Sequence, residues 1–139
     1  MQIEIKRLGD GFHLEASNEL GNIVHLDAAP EIGGTNLGMR PMQLLMVALG
    51  GCGTMDIISI LKKQKQDLKD IKISVTGERE KDVVPSLFTK AHVHFRLFGK
   101  LDEDKVKKAV DLSMEKYCSV SKTLEKTAVI TYSFEIISA

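Results

Sequence analysis

Of the 139 residues only two are cysteines, Cys52 and Cys118, and no CxxC pair occurs. That scarcity excludes a disulfide framework and argues against a structural zinc site, which needs three or four clustered ligands. The two thiols are therefore buried spectators, metal ligands or redox-active groups. Excess charge is also missing: 19 basic residues balance 19 acidic ones, and no basic cluster exceeds the short run Lys62-Lys63-Gln64-Lys65. Nucleic acid and anionic membrane surfaces both require a positive footprint, so neither is expected as a partner. Long apolar runs are lacking as well. The N-terminal residues alternate charged and apolar side chains, unlike a signal peptide, and the run Leu44 to Gly53 is half of the roughly 20 residues that cross a bilayer. A cytoplasmic protein is the expectation. No internal repeat, linker or low-complexity segment interrupts the chain.

What is present is an ordinary globular composition, 43% hydrophobic and 27% charged, in a length that suits a single domain over residues 1–139. The chain is organised around Arg40 to Asp56. Pro41 opens a helix at the position where a missing N–H costs nothing. From Met42 to Leu49 every residue but Gln43 is apolar, which predicts a helix buried on nearly all sides. Gly50, Gly51 and Gly53 then surround Cys52. Three glycines inside a helix cost roughly 2.5 to 3 kcal/mol against alanine, so a second backbone or a substrate is expected to approach the sulfur closely.

Before this helix, Gln2–Leu8, Phe12–Ser17 and Ile23–Ala28 alternate as three antiparallel strands, followed by a glycine-rich loop from Pro30 to Met39. After it come a strand from Ile71 that ends in the charged turn Gly77–Asp82, and a strand from Leu87 to Leu97. A second helix from Asp102 to Cys118 buries Val106, Ala109, Val110, Met114 and Tyr117; Ser119–Lys126 is a helical turn or loop, and Ala128–Ile137 is the last strand. The order βββ-α-ββ-α-β is an antiparallel α+β plan with helices on one face of a sheet. One small sheet cannot cover a helix that is apolar all round. A second copy of the chain is the economical cover, and an obligate homodimer with the central helices at its heart is expected.

Cysteine on an apolar helix usually acts as a small hydrophobe, but the glycines favour a reactive Cys52. Cys118, at the end of a helix where the dipole disfavours a thiolate, is the weaker nucleophile; it can resolve Cys52 if the fold brings them together. Asp56 lies one turn after Cys52 on the same face and opposes thiolate formation unless a cation neutralises it. Arg40 is about 18 Å up the helix axis, so the cation must come from Arg7 or another subunit. His92 and His94 share a strand face with Lys90 and Arg96, and read as a polar sheet face; no metal or other cofactor is expected. Met39, Met42 and Met46 read as packing, and also suit a pocket for irregular apolar molecules.

Two blocks, GTNLGMRPMQLLMVALGGCGTMDIISILKK and EKYCSVSKTLEK, in this order and at this separation, resemble the OsmC/Ohr superfamily. The first is similar to its central helix, in which a proline and a Leu/Ala/Met run precede small residues and a cysteine. The second is similar to its other cysteine block. The resemblance implies an intertwined α+β homodimer with a long buried central helix and two cysteines per site at the subunit interface. It also implies reduction of organic hydroperoxides: Cys52 attacks the distal peroxide oxygen and becomes a sulfenic acid, Cys118 resolves it to a disulfide, and an external dithiol restores both. The chain departs from the hydroperoxide-resistance branch at two points. Met42 stands where that branch carries an acid, and Gly9, not an arginine, precedes Asp10-Gly11, with Arg7 two positions earlier.

Overall fold

A computed structural model describes residues 1–138, which fall into two compact units, Met1–Leu45 and the chain from Met46 onward. In the first unit, β1 (Ile3–Arg7), β2 (Leu14–Asn18) and β3 (Ile23–Leu26) form an antiparallel meander. The register aligns Ile5, Ala16 and Val24 across one face, and Ile5 and Val24 remain exposed. The loop that follows is tied by one carboxylate. Asp27, 3% exposed, accepts hydrogen bonds from Ala28 N (2.7 Å), Thr35 Oγ1 (2.8 Å), Leu37 N (3.0 Å) and Thr35 N (3.3 Å). The bond from the Leu37 N–H leads the effects that hold this carboxyl down at about 2 against an ordinary 3.8.

Helix α1 (Pro41–Lys63) starts at Pro41. Gln43 is the one polar residue of its first turns for a local reason: its Oε1 accepts from Arg40 N at 3.0 Å, one half of a capping box. In the second unit, β4 (Asp70–Arg79), β5 (Phe88–Phe98) and β6 (Val129–Ile137) form a second sheet with β5 in the centre. Leu49, Ile57 and Leu61 of α1 meet Val93, Phe95 and Leu97 of β5 in a fully buried core, joined by Val106, Ala109 and Val110 of α2 (Glu103–Leu112). Asp102 caps α2, accepting from Lys105 N at 3.0 Å.

Several expectations need correcting. The β4–β5 pair is antiparallel but β5–β6 is parallel, because the chain crosses over through α2, a π-helical turn (Ser113–Tyr117) and α3 (Ser119–Leu124) before β6. The second helix thus does not run unbroken to Cys118. The wider turn shifts the side-chain phase, so Met114 stays buried while Tyr117, expected on the same stripe, is 51% exposed. Strand β4 continues through Gly77 to Arg79, since a Cβ at Gly77 would lie 2.6 Å from Phe88 Cε1; the glycine admits a ring rather than making the turn. Within one copy of the chain helix α1 buries the stripe Leu49, Gly50, Gly53, Ile57 and Leu61 and leaves Val47, Met55 and Ile58 exposed, the partial cover that one small sheet was expected to give. Over an 18-residue window its mean hydropathy is 1.9, long and apolar enough to cross a membrane, which the shorter run Leu44 to Gly53 did not suggest.

Candidate functional site

Cys52 lies in the middle of α1, and the glycines around it have separate uses. At Gly50 an added Cβ would sit 2.8 Å from Val75 Cγ2, and at Gly53 it would sit 3.0 Å from Met114 Sδ and 3.2 Å from Phe95 Cζ. These two residues let α1 settle onto β4, β5 and the π turn. The close approach expected from the sequence is therefore made by side chains of the same chain, not by a second backbone. Gly51 is different: nothing lies within 4 Å of the Cβ position, and it faces a groove of about 560 Å³ lined by Met46, Val47, Met55, Ile58, Ile73 and Val75.

The second thiol reaches Cys52 through the crossover. Ser113 is fully buried, with its Oγ 2.9 Å from Gly53 O and 3.3 Å from Asp56 Oδ2, and so pins the start of the π turn to α1 beside Cys52. The turn closes with Cys118 N donating to Ser113 O at 2.7 Å. Cys118 is fully buried, Cys52 is half-buried, and both are free thiols. The two side chains are near neighbours.

Burial pushes the Cys118 thiol up to about 11 from an ordinary 9.0, and the neighbouring Cys52 adds to the rise. The opposing contacts come from α3. Cys118 is the N-cap of that helix, and its Sγ accepts the Ser121 N–H at 3.3 Å. The sequence placed Cys118 at the end of a helix, and the structure corrects that position. It faces the start of a helix, which favours a thiolate, and desolvation outweighs that help. Ser121 also donates from Oγ to Met114 O at 3.3 Å, holding the π turn against α3. Ser113 and Ser121 are site-building residues that the sequence reading did not single out, and Met114 it placed only in the core stripe of the second helix. The available signal was two serines on an otherwise apolar buried face.

The auxiliary candidates separate. Asp56 stays at the site through its contact with Ser113. Arg7 and Arg40 belong to the first unit, where Arg7 donates to Gly11 O at 2.8 Å and to Asp10 O, and Arg40 donates to Asn36 Oδ1 at 2.8 Å and Gly38 O at 3.1 Å. On the outer face of the second sheet, Thr131 Oγ1 lies 2.7 Å from His92 Nδ1, and Ser133 Oγ lies 2.8 Å from His92 Nε2 and 2.7 Å from His94 Nδ1. Hydroxyls of β6 thus occupy these ring nitrogens, as a polar sheet face requires. Among the described residues no cluster of three His, Cys, Asp or Glu side chains could hold a metal ion.

Comparison with known proteins agrees with this geometry. The family of OsmC-like proteins matches residues 34–133. Protein YhfA of Escherichia coli K12 is 45% identical over 100 residues, which cover 71% of this chain and 74% of YhfA. The crystal structure of a protein from Aquifex aeolicus VF5 superposes with a TM-score of 0.84 at 30% identity, covering 99% of this chain and 96% of that one. An organic hydroperoxide resistance protein OsmC from Legionella pneumophila shares the fold, with a TM-score of 0.71 at 18% identity and 97% of each chain covered. With two thiols carried from separate elements into one neighbourhood beside a long central helix, and with these relatives, the chain belongs to the OsmC-like family.

Proposed function

We propose that this protein is a thiol-dependent peroxidase for organic hydroperoxides, acting as a cytoplasmic homodimer in defence against oxidative stress. The observation that carries the reading is the pairing of two free cysteines, distant in sequence, in which one sulfur is partly open and its neighbour is sealed. That asymmetry suits a division of labour. The Cys52 thiolate attacks the distal oxygen of the hydroperoxide, the O–O bond breaks, and an alcohol leaves with a proton, giving the Cys52 sulfenic acid. The Cys118 sulfur then attacks the sulfenic sulfur and water departs, forming a disulfide before further oxidation can occur. An external thiol reductant, most economically a dithiol, returns both cysteines to thiols.

The apolar groove beside Gly51 supports bulky, lipid-like substrates over hydrogen peroxide. Bare apolar residues support self-association: Val47, Met55 and Ile58 on α1, and Ile3, Ile5 and Val24 on the first sheet, form surfaces that a second copy of the chain would cover. The guanidinium groups of Arg7 and Arg40 donate to neutral oxygens, which leaves their charge available to a Cys52 thiolate across such an interface. The groove also favours one alternative, a dimer that binds an apolar ligand there without turnover.

The deciding experiment is consumption of cumene hydroperoxide with dithiothreitol as reductant. Turnover by the wild type should be lost on Cys52→Ser, by at least about a hundredfold. In Cys118→Ser, the sulfenic acid of Cys52 should accumulate and be trapped by dimedone. Cys52-independent consumption would reject the peroxidase, and retention of an apolar ligand unaffected by Cys52→Ser would favour the binding protein.

A further inference from the structure

Beside Cys52 one charge stands uncompensated. Asp56, Ser59 and Lys63 follow Cys52 at helical spacings that keep all four on one face of α1. One turn beyond the thiol this face opens into a pocket of about 580 Å³, lined also by Ile60, Leu112 and the exposed ring of Tyr117, the residue next to Cys118. Among the described residues Asp56 is the only acid of this pocket, and Lys63, its only base, lies two turns farther along the helix. Asp56 enters no ion pair among them, and the one hydrogen bond it accepts comes from Ser113 Oγ at 3.3 Å. That hydroxyl has a single proton and a nearer acceptor, Gly53 O at 2.9 Å, in the turn that carries Cys52.

The buried serine thus holds the carboxylate beside the reactive turn and leaves its charge largely unanswered. Side chains four apart on a helix have Cβ atoms about 6 Å apart, and a charge acts through solvent over about 8 Å at physiological salt. Any molecule whose reacting atom meets the Cys52 sulfur therefore brings its nearby substituents into the field of Asp56. From this juxtaposition we propose that Asp56 is a specificity-determining residue, a fixed negative charge that turns away hydroperoxides bearing a carboxylate or phosphate within about 8 Å of the peroxide and admits uncharged ones.

The assignment rests on the peroxidase reading and narrows its substrate class. An esterified acyl hydroperoxide passes, and a free acid whose peroxide lies close to its carboxylate does not. A guanidinium supplied across a subunit interface leaves the filter standing, because its single positive charge answers the Cys52 thiolate and the charge of Asp56 remains. Like charges at this separation, with the screening of a protein surface, repel strongly enough to change a rate by about fivefold or more.

The first test needs no peroxide. Iodoacetamide and iodoacetate are nearly equal in size, and each alkylates a thiolate with loss of iodide, so the ratio of their rates cancels the thiolate population and reads the charge at the approach. Alkylation of Cys52 in the reduced full-length protein, followed by peptide mass spectrometry, should favour iodoacetamide at least about fivefold more than in the urea-unfolded chain. The excess should vanish in Asp56→Asn and persist in Glu103→Gln, an exposed acid on α2. It should also shrink in concentrated sodium chloride, a measurement that needs no variant. A native ratio equal to the unfolded one, a preference for iodoacetate, an excess retained in Asp56→Asn, or a Cys52 closed to both reagents would overturn the filter. Turnover of cumene hydroperoxide should then exceed that of its para-carboxylate by a similar factor in kcat/KM. Charge selection in alkylation with neither hydroperoxide consumed upholds the filter while removing the peroxidase, and equal consumption of the two removes the filter alone.

Discussion

Cys118 combines a buried sulfur with a neighbouring thiol, and its protonation governs two measurable quantities. Its pKa is raised from 9.0 to about 11, chiefly by burial, so the folded chain holds that proton more tightly than the unfolded chain does. The stability this contributes is complete below pH 9 and is lost as pH rises toward 11. Chemical denaturation across this interval should show falling stability in the wild type and a flatter profile in Cys118→Ala. In the proposed reaction, resolution of the sulfenic acid needs the Cys118 thiolate, which is scarce at neutral pH. Disulfide formation after a single pulse of hydroperoxide should therefore accelerate about tenfold per pH unit between pH 7 and 9; a rate independent of pH would remove Cys118 as the resolving thiol. The identities of both cysteines were legible in the sequence. Their environment was not, because the burial of Cys118 and its Ser121 N–H contact depend on where the crossover settles.

At the level of elements, α1 was readable from its proline start, apolar run and basic end, and the meander from its alternation. The functions of its glycines were harder to read. A glycine signals that a side chain is excluded, but not by what. Gly50 and Gly53 exclude one because Val75, Met114 and Phe95 are packed against the helix. Gly50→Ala should cost about 1 to 3 kcal/mol of stability, read by denaturant titration, as overpacking against β4 does. Gly51→Ala, whose added methyl meets nothing within 4 Å of its own chain, should leave that fold intact. The π turn was illegible for a related reason. Periodicity extends a helix through Ser113–Tyr117, and only the Ser113 contacts with α1 show why the register slips.

For the whole molecule, the apolar stripe left bare on α1 argues for a second copy. Placing a charge there should prevent its burial: Met55→Glu is expected to weaken self-association by at least about a hundredfold, measured by sedimentation, with the secondary structure retained. A wild-type chain that sediments as a monomer would refute the dimer. The α+β class and element order were within reach of sequence patterning, whereas the parallel β5–β6 pair was not, since alternation does not encode strand direction. That pair has a consequence for the order of assembly. The segment bearing Cys118 is strung between the central strand and the last one, and the Tyr132 hydroxyl on β6 fastens it, lying 2.9 Å from Asp111 Oδ1 and 2.7 Å from Glu115 Oε1. During synthesis β4 and β5 can close as a hairpin as soon as both have emerged, while the bridge between them and β6 has no second anchorage until the final strand arrives. The sulfur pair is thus among the last features to be completed, brought together only when the hydrophobic interior is nearly shut.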